Sequence, residues 1–231
     1  MVELNVAQKF AIWLLPVLFG ITVHEVAHGW IARRLGDPTA MMLGRLTLNP
    51  IKHIDPVGTI LVPGLLLLAP GSIVFGWAKP VPVTWENLRH PQRDMALVAL
   101  AGPGANLLMA ILWVLVAKLG VLYDESFGWL ADPLIYMGVA GVIINTILGV
   151  LNLLPLPPLD GGRVLTGVLP PRLAVKVGRI EPYGFIIVLA LLITGVLGMV
   201  ILPAVNAALE STSYLAGLHP GTLRSVVIAL F

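Results

Sequence analysis

"TVHEVAHGW", residues 22–30, decides how this chain is read. It lies inside an apolar run from Phe10 to Leu35, long enough to cross a bilayer, for which roughly 20 mostly apolar residues suffice. Yet it carries two histidines and a glutamate, which are costly in hydrocarbon and default to function inside a span. His24 and His28 stand one helical turn apart and project from one face, with Glu25 beside them. His-Glu-x-x-His on a helix is a pattern in which two imidazoles hold Zn²⁺ and the glutamate serves as general base. At about 1.5 Å per residue, His24 lies roughly 21 Å beyond Phe10 in a hydrocarbon core about 30 Å thick, nearer the Arg33-Arg34 end. Polar helix packing is the competing reading; three ionisable groups at ligand spacing within one span favour a metal.

The rest of the composition agrees with a membrane setting. Of 231 residues, 58% are hydrophobic and only 11% charged, against about 25% charged in soluble domains. A net charge of +2, without a basic, aromatic-interleaved patch, excludes nucleic acid as a partner. There is no cysteine, so a metal here must be held by His, Asp or Glu. The N-terminal "MVELNVAQKF" is not basic and the run after it has no small-residue cleavage site, so a retained first span is expected.

Four segments are long enough to span: Phe10 to Leu35, Met95 to Leu119, Pro133 to Leu154 and Phe185 to Leu209. A further apolar stretch, 57–74, is broken by Pro63-Gly64 and Pro70-Gly71 and could span or turn back. Lys and Arg collect in cytoplasmic loops. Here they crowd the connections between the first and second spans and between the third and fourth, whereas 120–132 has none. One topology satisfies all three loops, with the N-terminus outside and no net crossing over 53–78. That favours a re-entrant hairpin with Pro63-Gly64 near its tip, covered by protein or a wet cavity. Within "MMLGRLTLNP", 41–50, Leu46 and Leu48 alternate with Arg45, Thr47 and Asn49, which predicts a small β element at the membrane surface. It could hold an extended substrate by β-augmentation, or be a plain amphipathic segment. Gly138-x-x-Gly141 and Gly195-x-x-Gly198 are expected to be close-packing positions. The fold class expected is an all-α polytopic membrane protein. It has four to five transmembrane helices, a re-entrant segment and the small β element near the active site. Residues 1–231 form a single domain, with a core over 10–180 and a C-terminal helix and tail over 181–231.

A catalytic zinc takes three protein ligands and keeps a fourth position open. Two acids compete for the third place. Glu86 lies in the polar loop "TWENLRHPQRD"; Asp160 lies in "NLLPLPPLDGGR", 152–163, directly after the third span. That span runs inward and ends on the side of the His pair. Its prolines break the helix, and Gly161-Gly162 allow a tight turn. Asp160 is therefore favoured. His53 could line or gate the site, or be an interfacial turn histidine.

"HEVAH" at 24–28, "AGPGAN" at 101–106 and "NLLPLPPLDGG" at 152–162 together resemble the site-2 protease family of intramembrane zinc metalloproteases. "FGWAKPVPV", 75–83, is similar to a stretch of its compact branch, without PDZ or CBS domains. The resemblance implies one Zn²⁺ per chain held by His24, His28 and Asp160, with Glu25 as catalytic base. It also implies cleavage of transmembrane or membrane-proximal protein segments. Asn152 matches a family position linked to substrate contacts, and Asn106 a family asparagine read here as a substrate contact or a packing group. The expected partners are a transmembrane protein substrate and the lipid bilayer. The expected location is the cell membrane, multi-pass, with the active site towards the cytoplasmic side. Two rivals remain at this level: an intramembrane metal-binding transporter and a non-proteolytic scaffold. The first calls for polar residues on several spans, which the second and fourth scarcely offer. The second is disfavoured by the presence of Glu25.

Overall fold

Asn5 opens the first helix through a capping box. Its side chain accepts the Gln8 N–H at 2.9 Å, and Gln8 Oε1 accepts the Asn5 N–H at 2.9 Å. Helix α1 then runs over Val6–Arg34. It stops at Gly36, whose φ of 116° is open to glycine and strained for other residues. The computed structural model describes residues 4–62, 76–123 and 128–231. After α1 come a short α2 (Thr39–Met42), a 3-10 turn over Pro50–His53 and a π-helical turn over Pro56–Leu61. An extended strap, residues 76–84, leads through a turn at Trp85–Asn87 into α3 (Pro91–Tyr123). Then follow α4 (Gly128–Asn152), α5 (Asp160–Val168), α6 (Pro171–Gly178), α7 (Glu181–Ile193), α8 (Val196–Ala216) and α9 (Pro220–Leu230).

Among the described residues, four helices are long and apolar enough to cross a membrane: α1, α3, the Trp129–Asn152 part of α4, and α8. The chain is an all-α polytopic membrane protein. Ile12 of α1, Trp113 and Ala117 of α3, Val139 and Ile143 of α4 and Val205 of α8 share one buried cluster. Gly138 lets α4 close on α3: a Cβ there would stand 2.6 Å from the Ala117 Cβ, and one at Gly141 would run into the Trp113 ring. Leu107, Leu108, Ile111 and Leu115 point outward from α3. In a bilayer that exposure costs nothing, since lipid tails are as apolar as leucine.

The fourth span lies further along the chain than expected. Phe185 to Leu209 is not one helix, because Gly195 takes a φ of 77° and separates α7 from α8. Nothing lies within 4 Å of a Cβ at Gly195, so it is a helix stop and not a packing glycine. The small β element expected over 41–50 is also absent, and no strand occurs among the described residues. Local turn chemistry wins there. Thr47 Oγ1 accepts the Asn49 N–H at 3.2 Å, and Asn49 Oδ1 accepts the Ile51 N–H at 3.1 Å, opening the 3-10 turn. The extended segment near the site is instead the strap. Pro80 and Pro82 remove the N–H groups that a ladder would need.

The ends of α1 and α3 meet. The Leu35 carbonyl accepts the Arg89 N–H at 3.1 Å, and Asp37 Oδ2 accepts the Thr84 N–H at 2.6 Å. Both ends therefore lie on one side, and 36–88 makes no net crossing. The hairpin expected over 53–78, with its tip at Pro63-Gly64, falls mainly on 63–75, outside the described residues.

Candidate metal centre and active site

One face of α1 buries His24 and His28, as their spacing requires. Their Nε2 atoms lie 3.0 Å apart. Asp160 Oδ2 stands 3.2 Å from His24 Nε2 and 3.3 Å from His28 Nε2. Zinc bonded at about 2.0–2.1 Å in a tetrahedron sets its donors about 3.3–3.4 Å apart, close to this triangle. The chemistry of the three atoms asks for a cation. His28 Nδ1 sits 2.7 Å from the Val98 carbonyl oxygen, and His24 Nδ1 sits 2.6 Å from Asn106 Oδ1. With each Nδ1–H donating to an oxygen, each Nε2 turns a lone pair inward. Asp160 Oδ2 is buried beside them with no hydrogen-bond donor among the described residues. Three converging electron pairs without a proton between them fit a zinc ion.

Asp160 arrives from far along the chain. It is the first residue of α5, placed after the proline-rich loop that ends α4. A Cβ at Gly161 would collide with the carbonyl oxygens of Leu153 and Leu154, so the loop folds back over its own glycine. At the other end of α5, Gln92 Nε2 donates to the carbonyls of Leu169 at 2.6 Å and Thr166 at 3.2 Å, tying α5 to the start of α3.

"AGPGAN" lies opposite the histidines. A Cβ at Gly102 would come within 2.5 Å of His28 Nε2 and 2.6 Å of His24 Cε1. Asn106, one turn further along α3, holds His24. Glu25 is half-buried, and its Oε2 accepts the Val81 N–H from the strap at 2.7 Å. Between Pro80 and Pro82, Val81 has the only backbone donor of the three residues. The strap is anchored on both sides of that bond. Arg45 Nη2 donates to the Lys79 carbonyl at 2.9 Å and the Lys79 N–H to the His53 carbonyl at 2.9 Å. Beyond it, Asp37 accepts from Thr84 N–H, Asn87 Nδ2, Thr39 N–H and Thr39 Oγ1. Burial pushes the Asp37 carboxyl up, but the bonds from Thr39, Asn87 and Thr84 outweigh it and hold it below its ordinary value.

Glu86, the other acid weighed from the sequence, is exposed in the Trp85–Asn87 turn, away from the cluster. Asn152 is half-buried and donates to the Leu148 carbonyl of its own helix at 2.9 Å. His53 is buried with its Nε2 2.9 Å from the Thr47 carbonyl, closing the 47–53 turn. Asn106 is 0% exposed and faces His24. Gly102, Val81, Val98 and Asn145 were not singled out from the sequence. Asn145 carried a signal of its own, as the one amide side chain in the apolar "GVIINTILG".

A membrane helix bundle enclosing a His-His-Asp cluster, with a glutamate inside its His-Glu-x-x-His, defines the class of membrane metalloproteases. Residues 130–195, which include Asp160, match the family described as Peptidase family M50. "Putative zinc metalloprotease YwhC" of Bacillus subtilis (strain 168) is 39% identical over 202 residues, covering 86% of this chain and 87% of that protein. "Putative zinc metalloprotease Rip2" of Mycolicibacterium smegmatis is 37% identical over 180 residues, 77% of this chain and 64% of the relative. "Putative zinc metalloprotease MJ0611" of Methanocaldococcus jannaschii is 29% identical over 162 residues, 68% of this chain and 70% of the relative. No solved structure matches the chain. The chain belongs to peptidase family M50, the site-2 proteases, and is a zinc metalloendopeptidase of that type.

Proposed function

We propose that this chain cleaves transmembrane or membrane-proximal segments of other membrane proteins. Its whole length, 1–231, acts as one protease domain in the cell membrane, with the active site towards the cytoplasmic side. The observation that carries this reading is the meeting of His24 Nε2, His28 Nε2 and Asp160 Oδ2 at 3.0–3.3 Å between membrane-spanning helices. His24, His28 and Asp160 would hold one zinc ion, which would supply a Lewis acid for the water and the scissile carbonyl. Glu25 takes a proton from the attacking water and passes it to the departing amine, so that the C–N bond breaks as the acid forms. The Val81 N–H on Oε2 fixes the carboxylate while the other oxygen handles the proton. The surrounding helices keep bulk water from the buried His pair. A substrate helix hides its carbonyls in hydrogen bonds and must open locally before this geometry can act on it.

The test separates metal from base. Purified protein is expected to retain one zinc per chain, and His24→Ala, His28→Ala or Asp160→Ala to lose it. Glu25→Gln keeps the metal and loses turnover by at least the 10²–10⁴-fold that general acid–base catalysis typically contributes, ~10³ at mid-range. Fragments are read by comparing membrane proteomes of cells carrying native protein or Glu25→Gln. Native-level fragments from the Glu25→Gln cells would sink the protease reading. Full zinc retention in Asp160→Ala would move the third ligand elsewhere.

A further inference from the structure

Asn106 and Asn145 are two amides in the dry centre of the helix bundle, 0% and 1% exposed. A buried amide is costly unless its groups are bonded, and more so away from water. Each of these is bonded, and the bonds form a directed chain. The Gly141 carbonyl can only accept, so the amide nitrogen of Asn145, 2.9 Å away, faces it. Asn145 therefore turns its oxygen towards Asn106. The Gly20 carbonyl of α1 also can only accept, and Asn106 Nδ2 lies 3.2 Å from it and 2.9 Å from Asn145 Oδ1. Both Asn106 N–H groups are then used, and the orientation of its amide is fixed from both sides. Its oxygen has one direction left, towards His24 Nδ1 at 2.6 Å. That oxygen accepts, so the His24 proton sits on Nδ1 and the Nε2 lone pair points at His28 and Asp160.

We infer that Asn145 and Asn106 form a two-amide relay that fixes the His24 tautomer and ring, and that through it they set the affinity for zinc. The two asparagines are positioning residues, acting on the metal through His24. The inference rests on reading His24, His28 and Asp160 as the zinc site. It differs from ordinary interhelical glue, which has no preferred tautomer at its end. The relay also joins three helices: Gly20 and His24 from α1, Asn106 from α3, Gly141 and Asn145 from α4. The packing admits it closely, since a Cβ at Gly20 would stand 3.2 Å from Asn145 Oδ1. His28 offers an internal control. Its Nδ1 is held by a backbone carbonyl, that of Val98 at 2.7 Å, which no side-chain substitution removes.

The test uses the full chain in detergent, without metal and then with zinc alone. In metal-free native protein, ¹⁵N NMR of the imidazoles is expected to show His24 and His28 both protonated at Nδ1. In Asn106→Leu, which keeps the volume and deletes the amide, His24 becomes a tautomer mixture while His28 is unchanged. Zinc affinity, by competition with a chelator, falls about 10–100-fold, the usual effect of removing a ligand's hydrogen-bond partner. Asn145→Leu, one residue further from the metal, gives a smaller loss in the same direction, and keeps the question answerable if Asn106→Leu does not fold. In the double variant Asn145→Leu adds nothing further, because the relay is already cut. Unchanged His24 tautomer and zinc affinity in Asn106→Leu, or additive losses in the double variant, would overturn the relay. His28→Ala separates this from failure of the site itself: full zinc retention there removes the metal centre, whereas loss there beside an unaffected Asn106→Leu removes the relay alone.

Discussion

At Gly102 a single hydrogen stands where any other residue would push a carbon against the His pair. The clash of a Cβ there falls on His28 Nε2 and His24 Cε1, both part of the cluster. Gly102 is inside α3, where alanine would favour the helix by roughly 0.5–1 kcal/mol. Gly102→Ala therefore pulls stability and metal binding apart. Helix content and the melting temperature of the metal-free protein are expected to hold or rise, while zinc affinity in chelator competition falls at least about tenfold. Native affinity in Gly102→Ala would mean that the imidazoles do not approach α3 as closely as described. In the sequence Gly102 stood only as part of "AGPGAN", with no role of its own. His24, Glu25 and His28 were legible there, because their relation is a local period of one helix. Asp160 was reached through a topology argument placing the ends of two spans on one side, and through the resemblance of "NLLPLPPLDGG". The demand on Gly102 comes from side chains some seventy residues away in the chain, which no local pattern encodes.

The element that the sequence placed wrongly is the extended one. Two alternating leucines suggested a strand over 41–50, yet Thr47 and Asn49 turn the chain locally. The strap over 76–84, whose prolines argue against a strand, is the piece that lies against Glu25. Those prolines leave Val81 as the donor, and the residue before Pro82 is biased to the extended region. Val81→Pro keeps an extended chain and deletes the N–H. A hydrogen bond to a charged group contributes about 1.5–3 kcal/mol, so kcat is expected to fall about 10–100-fold with zinc content unchanged. Val81→Ala, which retains the N–H, stays close to native kcat. Equal kcat in Val81→Pro and native protein would detach the strap from the base. The strap's far anchor answers to pH. Hydrogen bonds hold the folded Asp37 carboxyl below its ordinary value, so its contribution to stability is complete above the ordinary carboxylate range and is lost as the pH falls through the folded value. The melting-temperature gap between native protein and Asp37→Asn should be constant from about pH 7 to 5 and narrow below about pH 4. A gap that widens in acid would contradict the depressed carboxyl.

For the whole molecule, the prediction with most at stake is sidedness. Eleven of the fourteen Lys and Arg residues fall between Arg33 and Arg93 or between Arg163 and Arg179, leaving Lys9, Lys118 and Arg224 elsewhere. The tendency of Lys and Arg to collect in cytoplasmic loops predicts the cytoplasmic side for both stretches. The geometry makes a matching demand, because the Leu35–Arg89 bond and the Asp37–Thr84 bond require the end of α1 and the start of α3 to share a side. Asp160 can meet His24 and His28 only if the end of α4 lies there too. The sequence expressed this constraint through its charges, but it could not place the last span, since it is Gly195 that divides the final apolar run. Single cysteines test the arrangement cleanly in a chain that has none. Met42 and Glu86 are exposed towards the two ends of the connection between α1 and α3, and Ser126 lies within 120–132, which has no Lys or Arg. Met42→Cys and Glu86→Cys are expected to react with an impermeant thiol reagent only from the cytoplasmic face of oriented membranes. Ser126→Cys is expected to react only from the opposite face. If 42 and 86 reacted from opposite faces, segment 43–85 would cross the bilayer. The hydrogen bonds joining α1 to α3 could not then form in the membrane, and Asp160 would be carried away from the histidines. Reaction of all three with reversed sidedness would keep the metal centre intact and move it to the outer face, overturning only the cytoplasmic placement.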